Sequence, residues 1–274
     1  NAFASVLANE ALDAAFKREV LMLPSEAAIG SKMSILDPSA IRTARIFMTQ
    51  QIAQLLKDQW IECFWTHQSS EKYSPDPVSM GKRALKNLAL AYWLETGDLE
   101  AIKAAKRQYK KADNMTDRFF ALNALVNLTP EHSVKALNDF YKRFEKEALV
   151  IDKWFRLQAG ARWTNAKLIR SLSKHKAYTL ENPNRMRSLL FTYMLANDAS
   201  FHALDGSGYD LWTEFLPKVD KLNPEVAARL ARALDRWRKL TPQLQSQARA
   251  ALERISRLSL SKPSSEVLNK ALLL

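Results

Sequence analysis

Two arginines stand at the start of one helix. Arg185 and Arg187 follow Asn182-Pro183, and a proline at the first helical position opens such a turn. The positive end of the helix dipole disfavours cations there, so the pair asks for a partner outside the helix. A guanidinium is permanently charged and grips a carboxylate in a fork. That leaves two readings, a carboxylate-bearing ligand or an ion pair within the protein. A second basic group follows Asn223-Pro224: Arg229, Arg232 and Arg236 fall at i, i+3 and i+7 on one helical face, and Glu225 stands one turn before Arg229, spaced to pair with it. Metal-ligating types are sparse. His67, His132, His175 and His202 lie far apart, and no two have the i, i+4 spacing that puts two ligands on one helix face. Cys63 is the one cysteine, between Glu62 and Phe64 in an apolar segment, and reads as a buried structural thiol. Asp205-Gly206-Ser207-Gly208-Tyr209 places two glycines within three residues of a chain that has six. It reads as a turn needing positive φ or close backbone approach. It is no phosphate loop, since no strand precedes it and no Gly-Lys-Ser/Thr follows.

The elements that would position these residues are helical. Leu, Ala, Lys, Arg, Glu and Gln dominate, with little strand-like alternation. Start signals recur every few tens of residues: Asp37-Pro38, Asp76-Pro77, Thr96-Gly97-Asp98, Thr116-Asp117, Thr129-Pro130, Asn182-Pro183, Asn223-Pro224 and Thr241-Pro242. After Asp37-Pro38 the apolar stripe is Ile41, Ala44, Ile46, Met48, Ile52 and Leu55; after Thr116 it is Phe119, Phe120, Leu122, Leu125 and Leu128. This rhythm predicts an all-α fold, an irregular α-superhelix of HEAT- or armadillo-like helical hairpins, with a compact irregular bundle as the alternative. The polar stretch from Ser69 to Pro77 reads as a loop inside one domain, and Ser259 to Ser265 as a loop before a short last helix. Trp154, Trp163, Trp212 and Trp237 read as core or interface aromatics.

Length and composition bound the rest. The 274 residues can bury a large core in one domain or two, and 47% hydrophobic with 26% charged residues fits a globular protein. No apolar run is long enough to span a bilayer, and one cysteine permits no internal disulfide, which suits a reducing, cytoplasmic compartment. The net charge of +12 permits attraction to nucleic acid, anionic lipid or an acidic protein surface without choosing among them. The clusters at Lys103, Lys106, Arg107, Lys110 and Lys111 and at Lys142, Arg143 and Lys146 read as solvated helix faces, and no base-stacking platform stands out.

Seven strings, in order, resemble the C-terminal domain of the bacterial aminopeptidase N group, family M1 zinc aminopeptidases. They are Ala2 to Leu7, Leu21 to Glu26, Asn114 to Arg118, Asp152 to Ala159, Asn182 to Arg187, Phe201 to Tyr209 and Asn223 to Leu230. Each is short; their order and spacing carry the likeness, which covers most of the chain. The resemblance implies that residues 1–274 are a single C-terminal helical domain whose partner, a catalytic domain of the same polypeptide, holds zinc on a His-Glu-x-x-His helix. That motif is missing here, so the chain alone should not hydrolyse peptides. The resemblance further implies a hydrolase of the membrane alanyl aminopeptidase type that serves peptide catabolism by removing N-terminal residues. This domain would enclose the active-site cavity and restrict peptide access. Arg185 and Arg229 would then face that cavity, with Arg187 and Glu225 beside them. No nucleic acid and no membrane insertion are expected. The competing class is a basic helical-repeat module that binds nucleic acid or scaffolds proteins.

Overall fold

The computed structural model describes residues 2–69, 72–128 and 130–273. In chain order the α-helices are α1 (Ala2–Ala8), α2 (Ala14–Val20), α3 (Glu26–Ser31), α4 (Pro38–Leu55), α5 (Lys57–Thr66), α6 (Pro77–Glu95), α7 (Leu99–Lys111), α8 (Met115–Leu128), α9 (Pro130–Phe144), α10 (Ala148–Ala159), α11 (Ala166–Leu172), α12 (Pro183–Met186), α13 (Thr192–Ala196), α14 (Asp198–Phe201), α15 (Ser207–Leu222), α16 (Pro224–Ala231), α17 (Pro242–Ser256) and α18 (Lys262–Leu273). Among the described residues there is no strand, only an isolated parallel bridge between Leu36 and Leu240. The chain divides into two compact units, residues 1–24 with 43–139 and residues 25–42 with 140–274.

Local capping chemistry sets many of the helix starts. Asp37, Asp76, Asp98, Asn182 and Asn223 each accept a backbone N–H from the first turn that follows, which satisfies a donor the helix leaves orphaned. The start expected at Thr116-Asp117 lies two residues earlier. Asn114 caps α8 by accepting from Asp117 N–H at 2.9 Å, which frees the Asp117 carboxylate for tertiary use. Thr129 lies outside the described residues. The last helix begins at Lys262 rather than after Ser265, because Pro263 is compatible with a first helical turn.

In the first unit α6 packs against α2, α5 and α8, and α7 against α8. Trp60 stacks on Tyr92 with centroids 4.3 Å apart, and the Tyr92 hydroxyl donates to Leu21 O at 2.9 Å. A polar cluster is buried between α6, α7 and α8. Lys86 Nζ reaches Asp117 Oδ2 at 2.7 Å, Asn87 donates to Oδ1 at 2.9 Å, and Gln108 donates to Asn87 Oδ1 at 2.7 Å. Both helices that flank the Ser69 to Pro77 loop lie in this unit, though Ser70 and Glu71 fall outside the described residues. The stripe expected to bury α4 does so only in part: Ile41 is buried and Ile46 and Ile52 are half-buried, while Ala44, Met48 and Leu55 are exposed. Helical periodicity locates an apolar face without saying whether the same chain covers it.

The second unit pairs α15 with α16, α16 with α18, and α17 with both α15 and α18. Its core holds Phe155, Tyr193, Phe201, Trp212, Leu230 and Leu252. Trp212 donates to Leu230 O at 3.0 Å and Trp237 to Ala271 O at 2.9 Å, so the two buried indoles also tie helices together. Trp154 is buried as well, and Trp163 is half-buried. Arg42 holds Glu26 through two nitrogens at 3.0 Å each and reaches Asn197 at 2.7 Å.

Candidate functional site

Helix α12 is one turn long and runs straight into a π-turn over Arg187–Phe191, where Thr192 N–H reaches back to Arg187 O. The five-residue reach widens the helix at the second arginine, a distortion common at functional sites. Arg185 turns inward and is 7% exposed. Its Nε donates to Asp152 Oδ1 at 2.5 Å, Nη1 to Ala177 O, and Nη2 to Ala148 O at 3.1 Å. The guanidinium also lies 5.4 Å from the Phe155 ring centre, a cation–π distance. The anion that the helix-start arginine requires is therefore Asp152, on the buried side of α10 beside Ile151, Trp154 and Phe155.

The same packet holds His175, whose ring stands edge-on to Tyr141 at 4.9 Å and to Phe155 at 5.9 Å. Burial, then the charges of Lys176 and Arg185, push its pKa below the ordinary histidine value; a neutral imidazole avoids adding a second cation. Nδ1 accepts from Ala177 N–H at 3.1 Å, which leaves any proton on Nε2. Burial also raises the Tyr178 hydroxyl well above its usual range, and that hydroxyl is buried with no hydrogen-bond partner among the described residues.

Arg187 is half-buried and Arg229 exposed, and neither has a hydrogen bond or ion pair among the described residues. Glu225 is exposed too, and the pairing that its spacing to Arg229 allowed is not formed within 4.0 Å. Glu225 instead lines an open groove of about 800 Å³ with Arg232, Arg238, Lys262 and Lys270. The shared face of Arg229, Arg232 and Arg236 is broken: α16 stops at Ala231 and a 3₁₀ turn covers Arg232–Leu234. Arg232 then pairs with Asp235 at 2.8 Å and Arg236 with Asp198 at 3.6 Å.

The glycine turn is structural in both expected ways. Gly206 has φ +71°, and a Cβ on Gly208 would stand 2.0 Å from Phe201 O. His202, next to it, meets the Tyr209 hydroxyl at 2.8 Å; burial first and Arg236 second lower its pKa to about 4. Cys63 is buried, and burial raises its thiol to about 11, so it stays protonated and unreactive. One helical turn on, His67 Nδ1 lies 3.8 Å from Sγ and 2.8 Å from Cys63 O. This Cys–His spacing was visible in the sequence but not among the histidines alone. It supplies two donors, one a protonated thiol, and among the described residues no group of three or more His, Cys, Asp or Glu could hold a metal ion. No helix of the described residues is long and apolar enough to cross a membrane.

A family profile described as "Domain of unknown function (DUF3458_C) ARM repeats" matches residues 1–273. The chain is 35% identical over 275 residues to aminopeptidase N of Escherichia coli K12, covering 99% of this chain and 31% of that protein. Against aminopeptidase N of Haemophilus influenzae it is 35% identical over 255 residues, covering 92% and 29%. Against that of Caulobacter vibrioides it is 34% identical over 274 residues, covering 99% and 32%. The chain thus spans about a third of the length of these relatives. The crystal structure of Legionella pneumophila aminopeptidase A in complex with aspartic acid matches with a TM-score of 0.89 at 24% identity, over 98% of this chain and 33% of that one, which shows a common fold. The all-α class with armadillo-type repeats and the likeness to the C-terminal domain of bacterial aminopeptidase N both stand, and the chain belongs to the DUF3458_C family of ARM-repeat domains.

Proposed function

We propose that residues 1–274 form the noncatalytic C-terminal helical domain of an M1 zinc aminopeptidase that removes N-terminal residues from peptides. One observation carries this: nearly the whole chain aligns at 34–35% identity with about a third of aminopeptidase N from two bacteria, E. coli and Caulobacter vibrioides. On this reading the zinc and the water it activates are held by residues outside this chain, and the enzyme is of the membrane alanyl aminopeptidase type, working in the cytoplasm in peptide catabolism. This domain encloses the active-site cavity, excludes bulk water from it and admits only peptides that can thread inside. The cavity wall carries Arg187, Arg229 and Glu225, with Arg185 buried behind it. Arg187 and Arg229 have no internal partners among the described residues and offer cations to the peptide carboxylate or backbone, with Glu225 as a counter-charge. Arg185 acts through position, because its grip on Asp152 fixes the α12 turn from which Arg187 projects.

The test compares the longer polypeptide that contains this segment with the 274-residue chain alone, using an aminoacyl chromogenic substrate and zinc. The longer protein should release N-terminal residues and the chain alone should not. Robust zinc-dependent release by the chain alone would overturn the noncatalytic role, and a longer polypeptide with no such activity would overturn the aminopeptidase reading. Within the longer enzyme, Arg187→Ala should raise KM for peptides more than it lowers kcat.

A further inference from the structure

From Ala44 to Leu55, in the first unit, helix α4 has a largely apolar side that nothing in that unit covers. Phe47, Met48 and Leu55 are 60%, 50% and 77% exposed, and with Ala44 and Gln51 they fall at i, i+3, i+4, i+7 and i+11 along one face of the helix. Other contacts flank this face at both ends of the helix. Arg45 Nε donates to Pro24 O at 2.8 Å, beside exposed Met22. Gln54 donates to Thr96 O at 3.1 Å and Lys57 pairs with Asp98 at 2.8 Å, which holds exposed Leu99 near the other end. On the face itself Phe47, Met48 and Leu55 together expose on the order of 300 Å² of apolar side chain, a size at which a patch on a lone monomer is often functional.

Charge sharpens the contrast. From Ile46 to Leu56 there is no charged residue, in a chain of net charge +12. The only charges in α4, Arg42 and Arg45, both have partners elsewhere in the chain. Solvated faces in this protein look different: the outer side of α7 carries Lys103, Lys106, Arg107, Lys110 and Lys111, all exposed. Charge depletion around exposed aromatic and methionine side chains marks the centre of an interface.

We propose that the outward face of α4 is a permanent docking surface for the remainder of the same polypeptide. The relatives that match 92–99% of this chain are about three times its length, so a family member's face of this kind has a large covalently tethered occupant at high effective concentration. This inference rests on the reading of the chain as one domain of a longer enzyme, and it adds which surface meets the rest.

Methionine oxidation reads the face directly, since Met48 sits at its centre. Hydrogen peroxide should oxidise Met48 in the 274-residue chain at close to the rate of the urea-unfolded chain, and at least tenfold more slowly in the longer polypeptide. Replacing both Phe47→Gln and Leu55→Gln in the longer polypeptide should restore fast oxidation, while the same pair leaves the Tm of the 274-residue chain unchanged. Equal rates in the two proteins overturn the proposal. Protection in the 274-residue chain that grows with its concentration assigns the face to a second copy and overturns it too. Peptidase activity is measured separately, so loss of the aminopeptidase reading and loss of the docking face give different results.

Discussion

The substitution Asp152→Asn separates an arginine held for the fold from one held for a ligand. Asp152 and Arg185 have side chains only 13% and 9% exposed, and the contact between them is a charge-assisted hydrogen bond of 2.5 Å. Asparagine keeps the shape of aspartate and removes the charge. Arg185 cannot escape by losing a proton, so a buried cation is left with the carbonyls of Ala148 and Ala177 as its remaining strong acceptors. Removing one partner of a buried ion pair costs about 3–5 kcal/mol, and the two surviving carbonyls place the expectation near about 3 kcal/mol. The surface pair Arg249–Glu253, 2.8 Å apart with side chains 65% and 44% exposed, supplies the scale for an exposed contact: Glu253→Gln should cost about 0–1 kcal/mol. Urea unfolding of both variants, with unchanged slopes against urea, gives the comparison. If Asp152→Asn costs no more than Glu253→Gln, the buried pair does not stabilise the fold and Arg185 is free for a ligand. A double change, Asp152→Leu with Arg185→Met, should recover much of the loss, because apolar side chains of similar volume replace buried ion pairs at little cost.

Acid should weaken the second unit through His202. Its folded pKa of about 4 lies below the ordinary 6.5, so between those values the unfolded chain binds the extra proton. Stability falls as pH drops below about 6.5, by about 2 kcal/mol at pH 5 from this group, and His202→Gln should flatten that part of the urea-midpoint profile. The two turn glycines should respond differently to alanine. Gly206→Ala meets only Gln247 at 3.9 Å and should cost the left-handed strain of about 1–2 kcal/mol, whereas Gly208→Ala drives a methyl into the Phe201 carbonyl and should cost at least the upper part of the about 1–3 kcal/mol typical of overpacking. Thermal unfolding of both variants orders them, and an equal cost would refute the close approach.

Helix starts were legible because capping is local. The Asp-Pro and Asn-Pro pairs at 37, 76, 182 and 223 carry both the acceptor and the fixed φ within two residues, and the chain needs no distant partner to obey them. Thr116-Asp117 misled because Asp117 has the side chain of a cap but is spent on Lys86 and Asn87; nothing near it in sequence shows that demand. Helical periodicity has the same limit at α4, where an inward and an outward apolar stripe look alike. It also runs past the end of α16, since the spacing of Arg229, Arg232 and Arg236 assumes a helix that a 3₁₀ turn interrupts.

The arginine pair shows where local electrostatics stops informing. The dipole of α12 does make a cation at its start unfavourable, and the inference that an anion must answer it was sound in kind. The answer for Arg185 comes from 33 residues upstream: Asp152 sits on the core side of α10, a position at which an unpaired carboxylate would be intolerable. Each residue explains the other's presence, and neither could be assigned from its own neighbourhood. Arg187 differs in one respect that matters. It begins a π-turn, and the wider turn changes the direction of the side chains that follow relative to a regular helix. It is half-buried without a counter-charge among the described residues. A cation in that state is costly to the isolated chain unless water or a ligand solvates it, so the need for an outside anion, first assigned to both arginines, passes to the second.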